Sequence, residues 1–317
     1  MPTTQTIPYP ETTGTFYKET LIKGQPARVE CIDLLGQTYA VNRGPVTIVS
    51  LEDEWYEDVA DPTAVVESLR AHPHVHADLF TFWQRLPNTE PMYQFHTEWE
   101  HIAVLPTTDH SQWFNNQIKS RLRTSIRKAE KEGLVVRETE YDDAFVRGMT
   151  AIFNESAVRQ GRRFWHYGKD VETVRSQFSR YIHRECMIGA YYEGEMIGFV
   201  MLGDAGCFGL TGQIISSLKH RDKATNLALM SATVQACAAR GFKYLVYLFW
   251  SDDSLSEFKR RCGFEKTAIP RFYVPLTWKG KLALKTGAHR GLKAMVPERI
   301  KVPLKQLRRS WYERQPE

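Results

Sequence analysis

Two cations, Arg221 and Lys223, stand at the head of an apolar helical stripe formed by Leu227, Met230, Val234 and Cys237. Cations at a helix start oppose the helix dipole by ~0.3 to 1 kcal/mol, so a pair of them there calls for an anion, and phosphate suits such a start. Asn226 shares the same first turn. Loops that cradle phosphate usually carry glycine so that the backbone can approach closely. The run Arg221-Asp222-Lys223-Ala224-Thr225-Asn226 has none, so side chains rather than bare backbone are expected to meet the phosphate.

Three more groups carry chemistry. Residues 160–170, QGRRFWHYGKD, collect Arg163, Trp165, His166 and Tyr167. Aromatic platforms beside cations suit sugar or acyl recognition, and His166 is a candidate general base, although the same residues suit a buried aromatic anchor. Lys119, Arg123, Arg127 and Lys131 recur at steps of four, a cationic stripe on one helix. Arg123 and Arg127 are its candidate phosphate ligands, against a solvated face balanced by Glu130 and Glu132. Last, Phe258 and Lys259 sit in the run EFKRRCGF. His72, His74 and His76 alternate, but Pro73 and the lack of a carboxylate or thiolate partner at metal-site spacing favour an exposed loop, so no metal is expected.

The elements that must position these groups alternate in type. Strands are expected in TFYKETLI, ARVECIDLL and YAVNRGPVTIVSL, then a helix in DPTAVVESLRA with Asp61 as N-cap and Pro62 at its first position. Strand-like runs DLFTFWQRL and QFHTEWEHIAVL follow. Residues 109–133 are expected to form one helix with Phe114, Ile118, Leu122, Ile126 and Ala129 as its apolar stripe and Gly133 past its end. A strand LVVRETE leads to a helix that ends near Gly161. A hairpin then pivots on Glu193-Gly194, CFGLTGQIISS is a third strand, and Gly241 closes the helix begun after Lys223. KYLVYLF is a central strand, DSLSEFKRRC a short helix, and GFEKTA with PRFYVPL a last strand pair. Strands and helices interleaved in this way imply a mixed α/β sheet.

Composition narrows the classes. Apolar residues make up 42% and charged residues 25%, which excludes wholesale disorder. Five scattered cysteines without a CxxC pair read as reduced thiols. No apolar run reaches the ~20 residues that span a bilayer, and the N-terminus lacks a signal pattern, so a cytoplasmic protein is expected. From Lys279 to Glu317 eleven Lys/Arg face three Glu, a net of +8 that leaves −3 of the total +5 for the rest. Such a basic block, with apolar stripes Leu284, Ala288, Leu292, Met295 and Ile300, Leu304, Leu307, Trp311, suits an anionic membrane face or docking on its own domain.

Three segments carry a family resemblance. RLRTSIRKAEKEGLVV resembles the Arg-rich helix that joins the two halves of Fem-type (FemABX) aminoacyl transferases; KATNLALMSATVQACAARGFKYLVY resembles the helix and strand of their second half; EFKRRCGF resembles its Phe-Lys-x-x-x-Gly-Phe end. Together they cover most of residues 118–265. The chain is thus similar to the two-domain branch of the GNAT acyltransferase fold, including the acetyltransferase-like proteins of polysaccharide gene clusters. The resemblance implies tandem GNAT-like domains. A degenerate one occupies 1–108, a connecting Arg/Lys-rich helix 109–134, the second domain 135–278, and a basic helical tail 279–317.

The same resemblance implies an acyltransferase that moves an acyl or aminoacyl group to an amine or hydroxyl of a cell-envelope or polysaccharide precursor. Acyl-CoA or aminoacyl-tRNA is the implied co-substrate, with no tightly bound cofactor. Lys259 matches the Fem-type lysine that serves the donor end or the oxyanion, with Phe258 beside it; Arg221, Lys223 and Asn226 match the donor site; Arg123, Arg127, Arg163, Trp165 and Tyr167 are assigned to the acceptor or its phosphates. Ala224 stands where coenzyme-A-binding loops carry their first glycine, which turns the expectation toward tRNA. The implied partners are a nucleotide- or lipid-linked acceptor, tRNA, and an anionic inner membrane face met peripherally by the tail. The contrasting reading is a non-catalytic adaptor of the same fold, tethered to membrane by residues 279–317.

Overall fold

Asp61 and Pro62 start the first helix as their chemistry dictates. The Asp61 carboxylate accepts from Thr63 N and Ala64 N, and Pro62, with no N–H to lose, takes the first helical position. The computed structural model describes residues 14–22, 25–107, 109–250 and 254–291. Within them the chain runs β1 (Phe16–Ile22), β2 (Gln25–Leu34), β3 (Gln37–Asn42), β4 (Ile48–Leu51), α1 (Pro62–Ala71), β5 (Leu79–Trp83) and β6 (His96–Pro106). It continues through α2 (His110–Gln112), a π turn at Trp113–Gln117, α3 (Ser120–Lys131), β7 (Val135–Thr139), α4 (Asp143–Phe153), β8 (Val158–Arg159), β9 (Arg162–Arg163) and α5 (Val171–Phe178). The last elements are β10 (Glu185–Tyr192), β11 (Glu195–Asp204), β12 (Phe208–Ser216), α6 (Thr225–Ala239), β13 (Tyr244–Phe249), α7 (Ser254–Arg261), β14 (Glu265–Pro275) and α8 (Trp278–Thr286). The fold class is mixed α/β, as the alternation of elements implies.

Two compact units emerge among the described residues, one centred on Pro26–Trp99 with residues 270–291, the other on Glu100–Ile269. In the first, strands follow the order β1-β2-β3-β4-β5-β14. β4 and β5 pair in parallel across the crossover helix α1, and β5 then pairs antiparallel with Arg271–Pro275 of β14. Its core gathers Val65, Val66 and Leu69 of α1 with Ile32, Tyr39, Val49, Phe80, Phe82 and Phe272 of the sheet.

The second unit repeats this plan with different strands. Its order is β7-β10-β11-β12-β13-β6, with β12 and β13 parallel across α6 and β13 antiparallel to β6. Helices cover both sheet faces. α3 and α6 pack over Ile188, Ile197, Val200 and Leu202, while α4 and α5 pack over Met187, Phe199 and Met201. A sheet covered twice explains why MIGFVML is continuously apolar. Each unit therefore closes on an antiparallel strand that the chain supplies from a distance: β14 for the first, β6 for the second.

Local signals hold at the turns. Gly133 and Gly241 adopt φ +94° and +72° past the ends of α3 and α6. Leu134 N donates to Ala129 O and Phe242 N to Cys237 O, the long bond that closes such helix ends. The Glu193-Gly194 hairpin is present, both residues at positive φ.

Three elements differ from expectation. The helix expected over 109–133 breaks at Ile118 and Lys119, both extended, because the Arg123 guanidinium takes the carbonyls of Asn115 and Ile118 at 2.9 and 2.6 Å in place of helical N–H groups. α4 ends at Phe153 rather than near Gly161, since Asn154 ties the loop by accepting from Gly168 N and donating to Lys169 O. GFEKTA and PRFYVPL form the single strand β14, whose Pro270 lacks an N–H but accepts at its carbonyl from Gln84 N. The tail expected over 279–317 falls within the described residues only as far as Gly291.

Gly280 of α8 marks a close approach in the first unit: a Cβ there would lie 2.0 Å from Asp78 O. Gly280→Ala is expected to lower stability by ~1 to 3 kcal/mol, the usual range for overpacking, measured as a fall in the urea midpoint without a change in slope.

Candidate functional site

The parallel β12–β13 pair of the second unit is short. Phe208, Gly209 and Leu210 pair with Tyr244, Leu245 and Val246, and beyond that register the two strands share no further pairs. β13 also bulges there: Val246 faces Val104 and Phe249 faces Ile102, so three steps on β13 match two on β6. Leu248 carries the extra residue at φ +40°, a conformation a branched side chain adopts only under constraint. The bulge turns the carbonyls of Tyr247 and Phe249 toward α7, where Lys259 Nζ donates to both at 2.7 Å. The same ammonium lies 4.3 Å from the centre of the Tyr247 ring.

α6 begins beside the end of β12: Gly198 of β11 pairs with Ser216, and a Cβ on it would lie 2.7 Å from the Thr225 side chain. Ala224 adopts φ +50°, ψ +29°, the left-handed conformation usually left to glycine, and no side chain caps the helix. Uncapped first-turn amides are open to an anion. Thr225 is buried there with its hydroxyl unpartnered among the described residues, as is the buried hydroxyl of Thr211, the first β12 residue past the last parallel pair. Arg221 and Asn226 are exposed. Lys223 is committed elsewhere: its Nζ lies 3.6 Å from Asp222, 3.8 Å from Glu132 and 4.5 Å over the Tyr192 ring. Tyr192, followed by Asp222 and Glu132, holds its pKa above the ordinary lysine value.

A half-buried guanidinium ties this helix start to the loop after α4. Arg159 donates to Ser216 O, Ile152 O and Glu155 Oε2, and lies 4.9 Å over the Phe164 ring. Glu155 in turn accepts from Ser217 Oγ at 2.5 Å and Leu218 N at 2.6 Å. Burial above all, and then the charge of Arg221, lowers the Arg159 pKa, while Glu155 opposes the fall. The Glu155–Arg159 pair thus joins residues 152–164 to residues 216–221. Sequence pattern singles out neither residue, because VRQG carries no spacing that announces a partner some sixty positions away.

The residues expected from sequence to form the site land in three kinds of place. Arg221 and Asn226 are exposed at the α6 start, and Arg163, Trp165 and Tyr167 are exposed on the loop that Arg159 ties to it. Lys169 Nζ lies 4.2 Å over Trp165. Other candidates make contacts within the fold. Arg123 ends the π turn, Arg127 lies 5.3 Å over Phe114, and Phe258 packs against the core. Lys259 is only 1% exposed, its ammonium held by two strand carbonyls. His166 is 2% exposed, with its ring 4.3 Å from that of Phe153. Burial, reinforced by Lys169 and Arg159, pushes its pKa down to about 3, so it is a neutral core ring and a poor proton acceptor.

The architecture is shared with solved structures. The crystal structure of FemX matches with a TM-score of 0.58 at 11% identity, over 86% of this chain and 90% of that one. The C-terminal domain of a protein described as a lysylphosphatidylglycerol synthetase from Agrobacterium fabrum matches at 0.55 and 12%, over 81% and 87%. A conserved protein of unknown function from Bacteroides thetaiotaomicron matches at 0.50 and 10%, over 78% and 86%. No protein-family model matches the sequence, and no curated protein does. At such identities the likeness is one of fold. It is the Fem-like, GNAT-type fold implied by RLRTSIRKAEKEGLVV, KATNLALM and EFKRRCGF.

Removing the Lys259 ammonium takes the lysine donor from the buried Tyr247 carbonyl and the half-buried Phe249 carbonyl. Lys259→Ala is therefore expected to cost roughly 2 to 5 kcal/mol and Lys259→Met, which keeps the stem, roughly 1 to 3, in urea unfolding. An unchanged melting temperature for Lys259→Ala would show that the contact holds nothing. For His166 the folded state excludes a proton that the unfolded chain binds below pH 6.5. Its contribution is complete above that pH and is lost as pH falls toward 3, on the order of 2 to 3 kcal/mol by pH 4.5. His166→Phe is expected to flatten the stability profile between pH 6.5 and 4.5.

Proposed function

We propose that this chain is an acyltransferase that moves an acyl or aminoacyl group from a phosphate-bearing activated donor to an amine or hydroxyl. The observation that carries the reading is the parting of β12 and β13 beside an uncapped α6 start. A gap between parallel strands can admit an extended donor, and the helix start next to it supplies amides, Arg221 and Asn226 for phosphate. The fold shared with FemX supports the same reading.

Ala224 bears on the donor. Its Cβ projects from a left-handed residue at the point where a pyrophosphate would need bare backbone, which favours aminoacyl-tRNA over acyl-CoA. Arg163, Trp165 and Tyr167 present cation and ring faces to the acceptor, taken to be a nucleotide- or lipid-linked precursor of the cell envelope or of a polysaccharide. The name of the Agrobacterium neighbour, a lysylphosphatidylglycerol synthetase, supports an aminoacyl group and a lipid in that class. Phe258 and Lys259 act as positioning residues: Lys259 fixes the bulge carbonyls that shape the gap. The chemistry is assigned to the 135–278 segment, the second domain of the division at 108, 134 and 278.

One observation favours a second reading. The Lys259 ammonium already has two carbonyl partners, as a structural lysine in a non-catalytic adaptor would.

Thermal shift with charged tRNA and with acetyl-CoA separates the donors. Stabilisation by charged tRNA, weakened about tenfold in affinity by Arg221→Ala, is expected. Stabilisation by acetyl-CoA alone at micromolar concentration would overturn the tRNA donor, and no response to either donor favours the adaptor.

A further inference from the structure

α8 of the first unit carries two faces with opposite duties. Gly280 and Ala283 are buried, and Gly280 seats against Asp78 O. Thr277 Oγ1 caps Gly280 N and also donates to Asp78, which Lys279 pairs at 3.2 Å. Just past the helix, His289 Nε2 and Arg290 Nη2 lie 2.7 and 2.8 Å from Glu98. The helix is locked in place from that side.

Trp278, Lys281, Leu282 and Lys285 fall at i, i+3, i+4 and i+7 and so share the other face. Trp278 is 76% exposed and Leu282 51%, and Lys281 and Lys285 are exposed beside them. No Asp or Glu occurs between Leu276 and Gly291. A tryptophan this exposed on a helix pinned from its other side, flanked by cations and by no acid within residues 277–290, fits one environment better than the alternatives. Residues 292–317 carry seven Lys/Arg against three Glu, so that segment and a second copy of α8 would both bring positive charge to a positive face.

We propose that this face of α8 docks the protein on an anionic lipid surface. Trp278 and Leu282 enter the boundary between headgroups and acyl chains, while Lys281 and Lys285 reach lipid phosphates, their stems lying along the apolar layer. Because the helix is already fixed, little ordering entropy opposes the contact. The surface stands independently of the acyl-transfer reading.

The test is co-sedimentation of the full chain with vesicles of phosphatidylcholine alone or mixed with phosphatidylglycerol. The parent is expected to bind only the mixed vesicles and to release at high salt. Trp278→Ala with Leu282→Ala should weaken binding about tenfold, and Lys281→Glu with Lys285→Glu on the order of thirtyfold or more, both without lowering the melting temperature. Charges beyond Gly291 act alike on parent and variants, so the comparison isolates α8. Equal binding by parent and the Trp278/Leu282 variant, equal binding to both vesicle types, or a concentration-dependent dimer lost in that variant would each overturn the proposal.

Discussion

A buried lysine ammonium held by two carbonyls of one strand is the constraint on which the candidate site rests. Taking an ammonium out of water costs several kcal/mol unless its donors are met, and a regular β-strand offers its carbonyls to neighbouring strands instead. β13 escapes this by bulging at Leu248, which frees the Tyr247 and Phe249 carbonyls for Lys259. The bulge lies just past the last parallel pair with β12, so the lysine, the strained residue and the gap between strands are one feature. Neighbouring contacts reinforce it. Trp113 Nε1 donates to Cys262 O immediately after α7, and burial pushes the Cys262 thiol up to about 12, keeping it neutral.

The same economy governs the other cations. A short element leaves carbonyls or carboxylates exposed at its ends, and a long cationic side chain nearby reaches them before any ligand does. Arg123 does this for the π turn, Arg159 for the end of α4 and the end of β12, and Lys223 for Glu132. Arg221 differs. It shares the helix start but stays exposed, and Arg159 feels its charge. Of the cations that read as phosphate ligands, Arg123 and Lys223 thus have internal partners, while Arg127 and Arg221 are exposed.

Much of the architecture is legible in the order of residues alone. Asp61-Pro62, Glu193-Gly194, Gly133 and Gly241 mark helix and hairpin ends through backbone chemistry that acts within a few residues, and all four behave as expected. The breaks that local pattern does not show have distant causes. Arg123 interrupts a sound 3.6-residue periodicity at Ile118 because a guanidinium competes with helical N–H groups, and Pro270 is tolerated inside β14, where its carbonyl accepts from Gln84 N.

The sequence by itself determined the order and type of most elements, the mixed α/β class, the kinship in fold with Fem-type proteins, and the turn and cap residues, since each depends on local torsions or on a repeating apolar face. Tertiary structure alone decided which charges are spent. Whether Lys259 meets substrate or strand carbonyls, whether His166 meets solvent or Phe153, and whether Glu155 and Arg159 matter at all depend on groups brought together across tens of residues. A charge's partner is set by proximity in space, and proximity is the one property that spacing along a chain does not encode.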